Sequence, residues 1–320
     1  MADDNSKNIS YPSQLAIFLA LTGGGILVAS MASLAIWNFM TGQPFPLHTE
    51  DILQPKFYAV NMVLQVVSTF FIFFMPAHFF GLICYKNPYN FLGYNKRINT
   101  RQIILVITIL LLTFPLSGAL ANLNNILPIP KNLAIKFKAM EAARAAEEAA
   151  LIHITSFSKY IISLFVIALL PAVFEETFFR GSMQNLFTRW FKNPWVAILF
   201  TSIIFSLIHL SYYGFLVRFA LGIILGFIFY YSGSLWLNIL LHFLFNGVQV
   251  TALYVITIQG VKDKGDIENN FPLWMGIIAL AALFYLFKEF KKISFLQQAK
   301  HIPPDDTAGF DFNNHVSGIK

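Results

Sequence analysis

The chain has 320 residues, of which 57% are hydrophobic and only 12% are charged, against roughly 25% charged residues in an ordinary soluble domain. So few charges could not cover a water-soluble fold of this size, which excludes a disordered chain, a coiled coil and a typical cytosolic enzyme. The single cysteine, Cys84, excludes an intramolecular disulfide and a cysteine-based metal cluster. The net charge of +6 does not indicate nucleic acid as a partner, because the basic residues flank apolar runs. Composition therefore predicts a polytopic membrane protein.

Eight apolar runs follow one another along the chain. They cover residues 15–40, 57–84, 102–121, 157–190, 195–212, 214–231, 235–258 and 271–287. The fifth and sixth runs have about 18 residues each, which is just enough to cross a bilayer. The polar N-terminal segment carries two Asp and lacks the basic start of a secretory signal, so we expect the first run to be retained as a span. The predicted fold is an all-α polytopic membrane helix bundle of about eight transmembrane helices.

The alternation of polar and apolar stretches divides the chain into six parts. We expect a polar cytoplasmic N-terminus at 1–14, three transmembrane helices at 15–130, an extramembrane helical connector at 131–155, a core of four transmembrane helices at 156–258, an outer loop with the last span at 259–287, and a cytoplasmic polar tail at 288–320. The Ala/Glu-rich stretch of the connector favours helix. In the four-helix core, Gly222 and Gly226 form a pair of small residues typical of close helix packing.

Basic residues mark one side of the membrane. They gather in the segments 85–101, 189–192 and 288–300, which eight spans place on the same side as both termini. By the positive-inside rule that side is cytoplasmic. The compact loops, the short polar N-terminus and the lack of an organelle signal favour a multi-pass protein of a bacterial inner membrane.

Two adjacent carboxylates interrupt the fourth apolar run. Glu175 and Glu176 are the only acidic residues between positions 151 and 262, and ionisable residues within a membrane are functional candidates by default. His153, His209 and His242 lie in the same stretch. Glu175 precedes Lys192, near the next turn, by 17 residues, and His209 follows Lys192 by 17, so an antiparallel helix pair would bring the two to one depth.

These residue types suit the hydrolysis of a peptide bond. A carboxylate in an apolar site can take a proton from water, and a nearby histidine can orient that water. Asn246 lies one helical turn after His242, so both could donate hydrogen bonds to a developing oxyanion. Arg180 lies four residues after Glu176 and could keep it ionised, which leaves Glu175 as the base. The pair of Glu176 and Arg180 taken alone could equally be structural.

Three motifs and their order resemble the CPBP family, also called the Abi family, which comprises the type II CAAX prenyl endopeptidases and bacteriocin-processing relatives. The motifs are Glu-Glu-x-x-x-Arg at 175–180, Phe-x-x-x-His at 205–209 and His-x-x-x-Asn at 242–246, with Gly-Ser-Leu-Trp at 233–236 before the third. The resemblance covers about residues 157–250. It implies an eight-helix intramembrane endopeptidase with a glutamate-activated water.

The resemblance also implies a role for each motif residue. Glu175 is expected to be the base, His209 to help activate the water, and His242 with Asn246 to form the oxyanion hole. Glu176 and Arg180 are expected to support the site.

Metal dependence has two readings. A glutamate of the 175/176 pair with His209 and His242 could hold Zn²⁺ with one position open. The sequence contains no His-Glu-x-x-His motif, and the glutamate mechanism uses every polar residue of the set without a metal, so we favour a site without a cofactor.

Function also has alternatives. We expect the substrate to be a membrane-associated protein or peptide, and the lipid bilayer, not nucleic acid, to be the surrounding partner. An ion- or proton-coupled transporter would also use intramembrane carboxylates. A non-catalytic immunity or scaffold subunit is the third reading.

Overall fold

A computed structural model describes residues 6–46, 49–151, 154–259 and 271–299. His153, most of the expected outer loop, the tail after residue 299 and the first five residues lie outside the described residues. In the described ranges the chain is predominantly helical, and strand pairing is limited to one bridge between Ser6 and Tyr85. The predicted all-α class is thus confirmed.

In the described part of the chain, nine main helices build the bundle. They are α1 (Tyr11–Thr41), α2 (Pro55–Cys84), α3 (Thr100–Ile126), α4 (Lys131–Leu151), α5 (Phe157–Phe191), α6 (Pro194–Leu207), α7 (Phe215–Ser232), α8 (Leu235–Gln259) and α9 (Leu273–Ala299). Two short helices, Thr49–Ile52 and Pro88–Leu92, lie in the connections. Seven of the described helices are long and apolar enough to cross a membrane, namely all except α4 and α6.

The fifth predicted span was too long. The sequence predicted a span at 195–212, but α6 ends at Leu207 after 14 residues, which is about 21 Å of helix against roughly 30 Å of hydrocarbon. The chain turns at Leu210, which has a left-handed φ of +49°. The Ser206 hydroxyl donates to the Phe215 carbonyl at 2.7 Å, and this bond holds the non-helical segment 208–214 between α6 and α7.

Two apolar clusters flank the centre of the bundle. The first joins α1, α2, α5 and α6 and is rich in phenylalanine, and the second joins α3, α7, α8 and α9. The predicted close packing at Gly222 and Gly226 is present between α7 and α6. A Cβ added at Gly222 would lie 2.9 Å from the Ser202 Cβ, and one at Gly226 would lie 2.7 Å from the Ile198 Cγ2.

The helix that carries the two glutamates is irregular. In α5 the α-helical stretch Leu170–Glu176 lies between two π-helical segments, Leu164–Leu169 and Thr177–Gln184. Pro171 lies at the start of this stretch, where it cannot donate to the preceding turn. Because a π-helical turn contains an extra residue, the side chains on either side of it are rotated relative to a regular helix.

The polar connector is helical, as expected, and it packs on the segment that follows α6. The Ser211 hydroxyl donates to Glu141 Oε2 at 2.8 Å, and the ring of Phe137 stacks on Tyr212 with a centroid distance of 4.8 Å. Arg144 of α4 interacts electrostatically with His209. One end of the four-helix core is therefore covered by α4.

Candidate active site

Glu176 is the centre of a buried polar cluster between α5, α7 and α8. Its carboxylate is fully buried and accepts three side-chain hydrogen bonds. Arg180 Nη1 and His242 Nδ1 both donate to Oε1, at 2.8 and 2.7 Å, and Asn238 Nδ2 donates to Oε2 at 3.3 Å. Because all three partners are donors, Glu176 acts only as an acceptor, which fits an ionised carboxylate.

Arg180 is placed by the helix itself. It follows Glu176 by four residues, and neither side chain of this ion pair is exposed. Its Nη2 also donates to the Gly222 carbonyl of α7 at 3.3 Å, and its guanidinium lies over the Phe205 ring at 4.6 Å from the centroid. Arg180 thus connects α5 to both α6 and α7.

Glu175 differs sharply from its neighbour. It is partly exposed, and its carboxylate forms no hydrogen bond to another residue that the structure describes. It nevertheless lies within electrostatic range of His242, Arg180 and Arg218. The two adjacent glutamates therefore have different capacities: one carboxylate is saturated by protein donors, and the other can still accept a hydrogen bond from water or substrate.

His209 lies just after the end of α6, in the turn rather than within a span. Its Nδ1 is 2.8 Å from the Phe205 carbonyl oxygen. Since a carbonyl oxygen can only accept, Nδ1 must carry the hydrogen, and Nε2 of the neutral ring is left as an acceptor. The Phe205 ring lies between the two histidines, with its centroid 5.2 Å from that of His209 and 6.1 Å from that of His242.

The structure thus brings most of the expected site residues together. Glu176, Arg180 and His242 share direct hydrogen bonds, and His209 joins them through Phe205. Asn246 lies one turn beyond His242 on α8, is partly buried and has no hydrogen bond to another described residue.

Two residues near the site did not emerge from the motifs. Asn238 contacts Glu176 directly, and its only sequence signal is its position four residues before His242. Arg218, on α7, interacts electrostatically with both Glu175 and His209. The sequence alone does not indicate that Arg218 lies near these two residues, because α7, α5 and the turn after α6 meet only in the folded bundle.

The site does not match the three-ligand set of the zinc alternative. Among the described residues, no group of three or more His, Cys, Asp or Glu side chains could hold a metal ion. Glu176 and His242 face each other as acceptor and donor at 2.7 Å, a distance that leaves no room for an ion between them. We therefore derive no step through zinc.

Comparisons with known proteins point to one family. Residues 157–248 match the family described as type II CAAX prenyl endopeptidase Rce1-like. An uncharacterized 24.3 kDa protein of Escherichia coli is 36% identical over 91 residues, which is 27% of this chain and 42% of that protein. This chain thus aligns with less than half of the length of that relative. No solved structure matches the chain at a comparable level of significance.

The match includes Glu175, Glu176, Arg180, His209, His242 and Asn246. It begins at the first residue of α5 and ends within α8. The three motifs of the sequence and the family match therefore agree on one segment. Residues 157–248 of this membrane protein are therefore similar to the type II CAAX prenyl endopeptidase family.

Proposed function

We propose that this chain is an intramembrane endopeptidase that hydrolyses a peptide bond with a water activated by Glu175. The observation that carries the proposal is the asymmetry of the glutamate pair. Glu176 accepts from three protein donors, whereas Glu175 accepts from none of the described residues, within electrostatic range of His242. A general base needs a carboxylate with a free lone pair beside the reacting water.

The reaction requires no covalent intermediate. Glu175 takes a proton from water, and the resulting hydroxide forms a bond to the carbonyl carbon of the substrate. His209 Nε2 accepts the second hydrogen of the water as a hydrogen bond and orients it. The proton on Glu175 then passes to the amide nitrogen, the C–N bond breaks, and the products are a carboxylic acid and an amine.

The oxyanion formed in this step needs donors from α8. Asn246 can supply its amide N–H. His242 already donates its Nδ1–H to Glu176, so its Nε2 can donate as well only when the ring carries two protons. The ionised Glu176 carboxylate would stabilise such an imidazolium, which gives the Glu176–His242 contact a role in the chemistry.

The substrate is proposed to be a membrane-associated protein or peptide. Glu175 and Glu176 lie on a helix apolar enough to span a membrane, so the scissile bond must enter the bundle from the bilayer or its surface. We place the protein in a bacterial inner membrane with both termini in the cytoplasm, an arrangement in which α6 and the segment 208–214 together form the eighth crossing. The basic segments and the similarity to an Escherichia coli protein support this placement.

A cleavage assay with purified protein tests the proposal. The protein in lipid nanodiscs is incubated with membrane-anchored peptides labelled at both ends, as wild type and as Glu175→Gln. Glu289→Gln is a matched control, because Glu289 is also a partly exposed glutamate of an apolar helix but lies on α9.

We expect cleavage by the wild type and by the control but not by Glu175→Gln. Cleavage that persists in Glu175→Gln would refute the assignment of the base. Proton or cation flux through proteoliposomes without any cleavage would favour the transporter. The absence of both activities would favour a non-catalytic subunit.

A further inference from the structure

Asn238 is a polar residue in a membrane helix whose place is not explained by the three motifs. It lies on α8 and is fully buried. One hydrogen of its Nδ2 is directed to Glu176 Oε2 at 3.3 Å, and Nδ2 also donates to the Leu225 carbonyl of α7 at 2.7 Å. The Asn238 amide therefore joins the carboxylate of α5 to the backbone of α7.

The orientation of this amide is fixed by its surroundings. Both neighbours of Nδ2 are acceptors, so a flipped amide would place an oxygen against a carboxylate and a carbonyl. In the observed orientation the buried Oδ1 has no hydrogen-bond partner among the described residues. A buried polar atom without a partner costs free energy. The side chain keeps this orientation because it allows both donations from Nδ2.

The donation to Glu176 bears on His242. Glu176 Oε1 accepts from both Arg180 and His242, so a rotation of the carboxylate would lengthen at least one of these bonds. Asn238 holds the opposite oxygen, Oε2, and thereby restricts that rotation. His242 follows Asn238 by one turn of α8. The same helix therefore carries the residue that restricts the Glu176 carboxylate and the histidine that donates to it.

We propose that Asn238 is a positioning residue that fixes the Glu176 carboxylate and, through it, the direction of the His242 ring. The predicted effect of Asn238 on the reaction rate rests on the proposed endopeptidase function. The proposal predicts in addition a change at the His242 nitrogen that does not depend on any activity.

A matched pair of substitutions tests the role. Asn238→Leu removes both donations and keeps the number of non-hydrogen atoms in the side chain. Gln184→Leu is the control, because the Gln184 amide is also buried and donates to an α7 carbonyl, that of Gly226, at 3.0 Å, but does not contact Glu176. If Asn238 only connects helices, the two substitutions should have the same consequences.

We expect Asn238→Leu to lower kcat by about 10- to 100-fold, with KM unchanged, and Gln184→Leu to stay close to the wild type. Equal losses in both variants, in proportion to lost thermal stability, would overturn the proposal.

The isosteric variant Asn238→Asp adds a pH test. The introduced carboxyl can donate to Glu176 only while it is protonated, and once ionised it repels that carboxylate. The wild type contains the same neighbouring charged groups, namely Glu175, Glu176, Arg180 and His242. Their titration therefore cancels when the variant is compared with the wild type at the same pH. We therefore expect Asn238→Asp to be active at acidic pH and to lose activity as the pH rises, relative to the wild type at each pH. A constant ratio at all pH values would contradict the role of the donated hydrogen.

A ¹⁵N NMR measurement on histidine-labelled protein in lipid separates this proposal from the proposed function. The His242 Nδ1 signal, assigned by its loss in His242→Gln, should shift in Asn238→Leu and stay in place in Gln184→Leu. This outcome would support the positioning role even if no peptide were cleaved, and an unshifted signal in Asn238→Leu would refute it.

Discussion

The two adjacent glutamates should respond in opposite ways to the same substitution. Glu175→Gln removes a base but no hydrogen bond to another described residue, so the folded state should lose less than about 1 kcal/mol. The rate of peptide hydrolysis should fall by about 10²- to 10⁴-fold, the range typical of the loss of a general base.

Glu176→Gln should mainly cost stability. The carboxylate accepts from Arg180, His242 and Asn238, and a glutamine side chain must turn its NH₂ group towards at least one of these donors. Arg180 is then a fully buried cation without its counter-ion. The loss of one partner of a buried ion pair costs about 3–5 kcal/mol, which is a large share of the roughly 5–15 kcal/mol that holds a typical protein folded.

Both effects can be measured on the same samples. Unfolding in mixed micelles of increasing denaturing detergent gives the stability, and cleavage of an end-labelled peptide gives the rate. We expect Glu175→Gln to unfold with the wild type and Glu176→Gln to unfold well before it. Full activity in Glu175→Gln together with undiminished stability in Glu176→Gln would refute both assignments.

Three further predictions follow from the site and the charge pattern. Asn246→Ala should lower the rate by about 10²- to 10³-fold, with a similar defect in His242→Ala and unchanged substrate binding; a change in KM alone would argue against oxyanion donors. Protein prepared without metal should keep its activity, whereas one zinc per chain in elemental analysis, lost and restored together with activity, would replace the glutamate mechanism. Reporter fusions should place the 85–101 loop and the C-terminus in the cytoplasm, and an external C-terminus would contradict the predicted orientation.

Much of the fold could be predicted from the sequence because its signals are local. Apolar length and sparse charge identify seven helices that the structure confirms as long enough to span a membrane. The pair of Glu176 and Arg180 follows from helical spacing alone, as does the close packing at Gly222 and Gly226. The site residues themselves could be named because ionisable groups in apolar runs are few.

The length of α6 could not be predicted from hydropathy. Residues 208–212 still contain the apolar Ile208 and Leu210, so the apolar run continues past the helix, but the Ser206 bond to Phe215 and the left-handed Leu210 end the helix at Leu207. An apolar composition indicates that a segment lies in the membrane. It does not indicate whether the backbone of that segment is helical. His209 is consequently in a turn, where its ring can contact residues of other helices.

Which groups meet across the site was decided by the tertiary structure. His242 and Glu176 are 66 positions apart, and Asn238 and Glu176 are 62 apart. Such contacts depend on how far each helix is rotated about its axis, and the π-helical segments of α5 shift that rotation away from a regular period. The sequence by itself determined the helices and the chemical groups they carry, whereas only the packing of α5, α7 and α8 decided that Glu176 is saturated with donors and Glu175 is not.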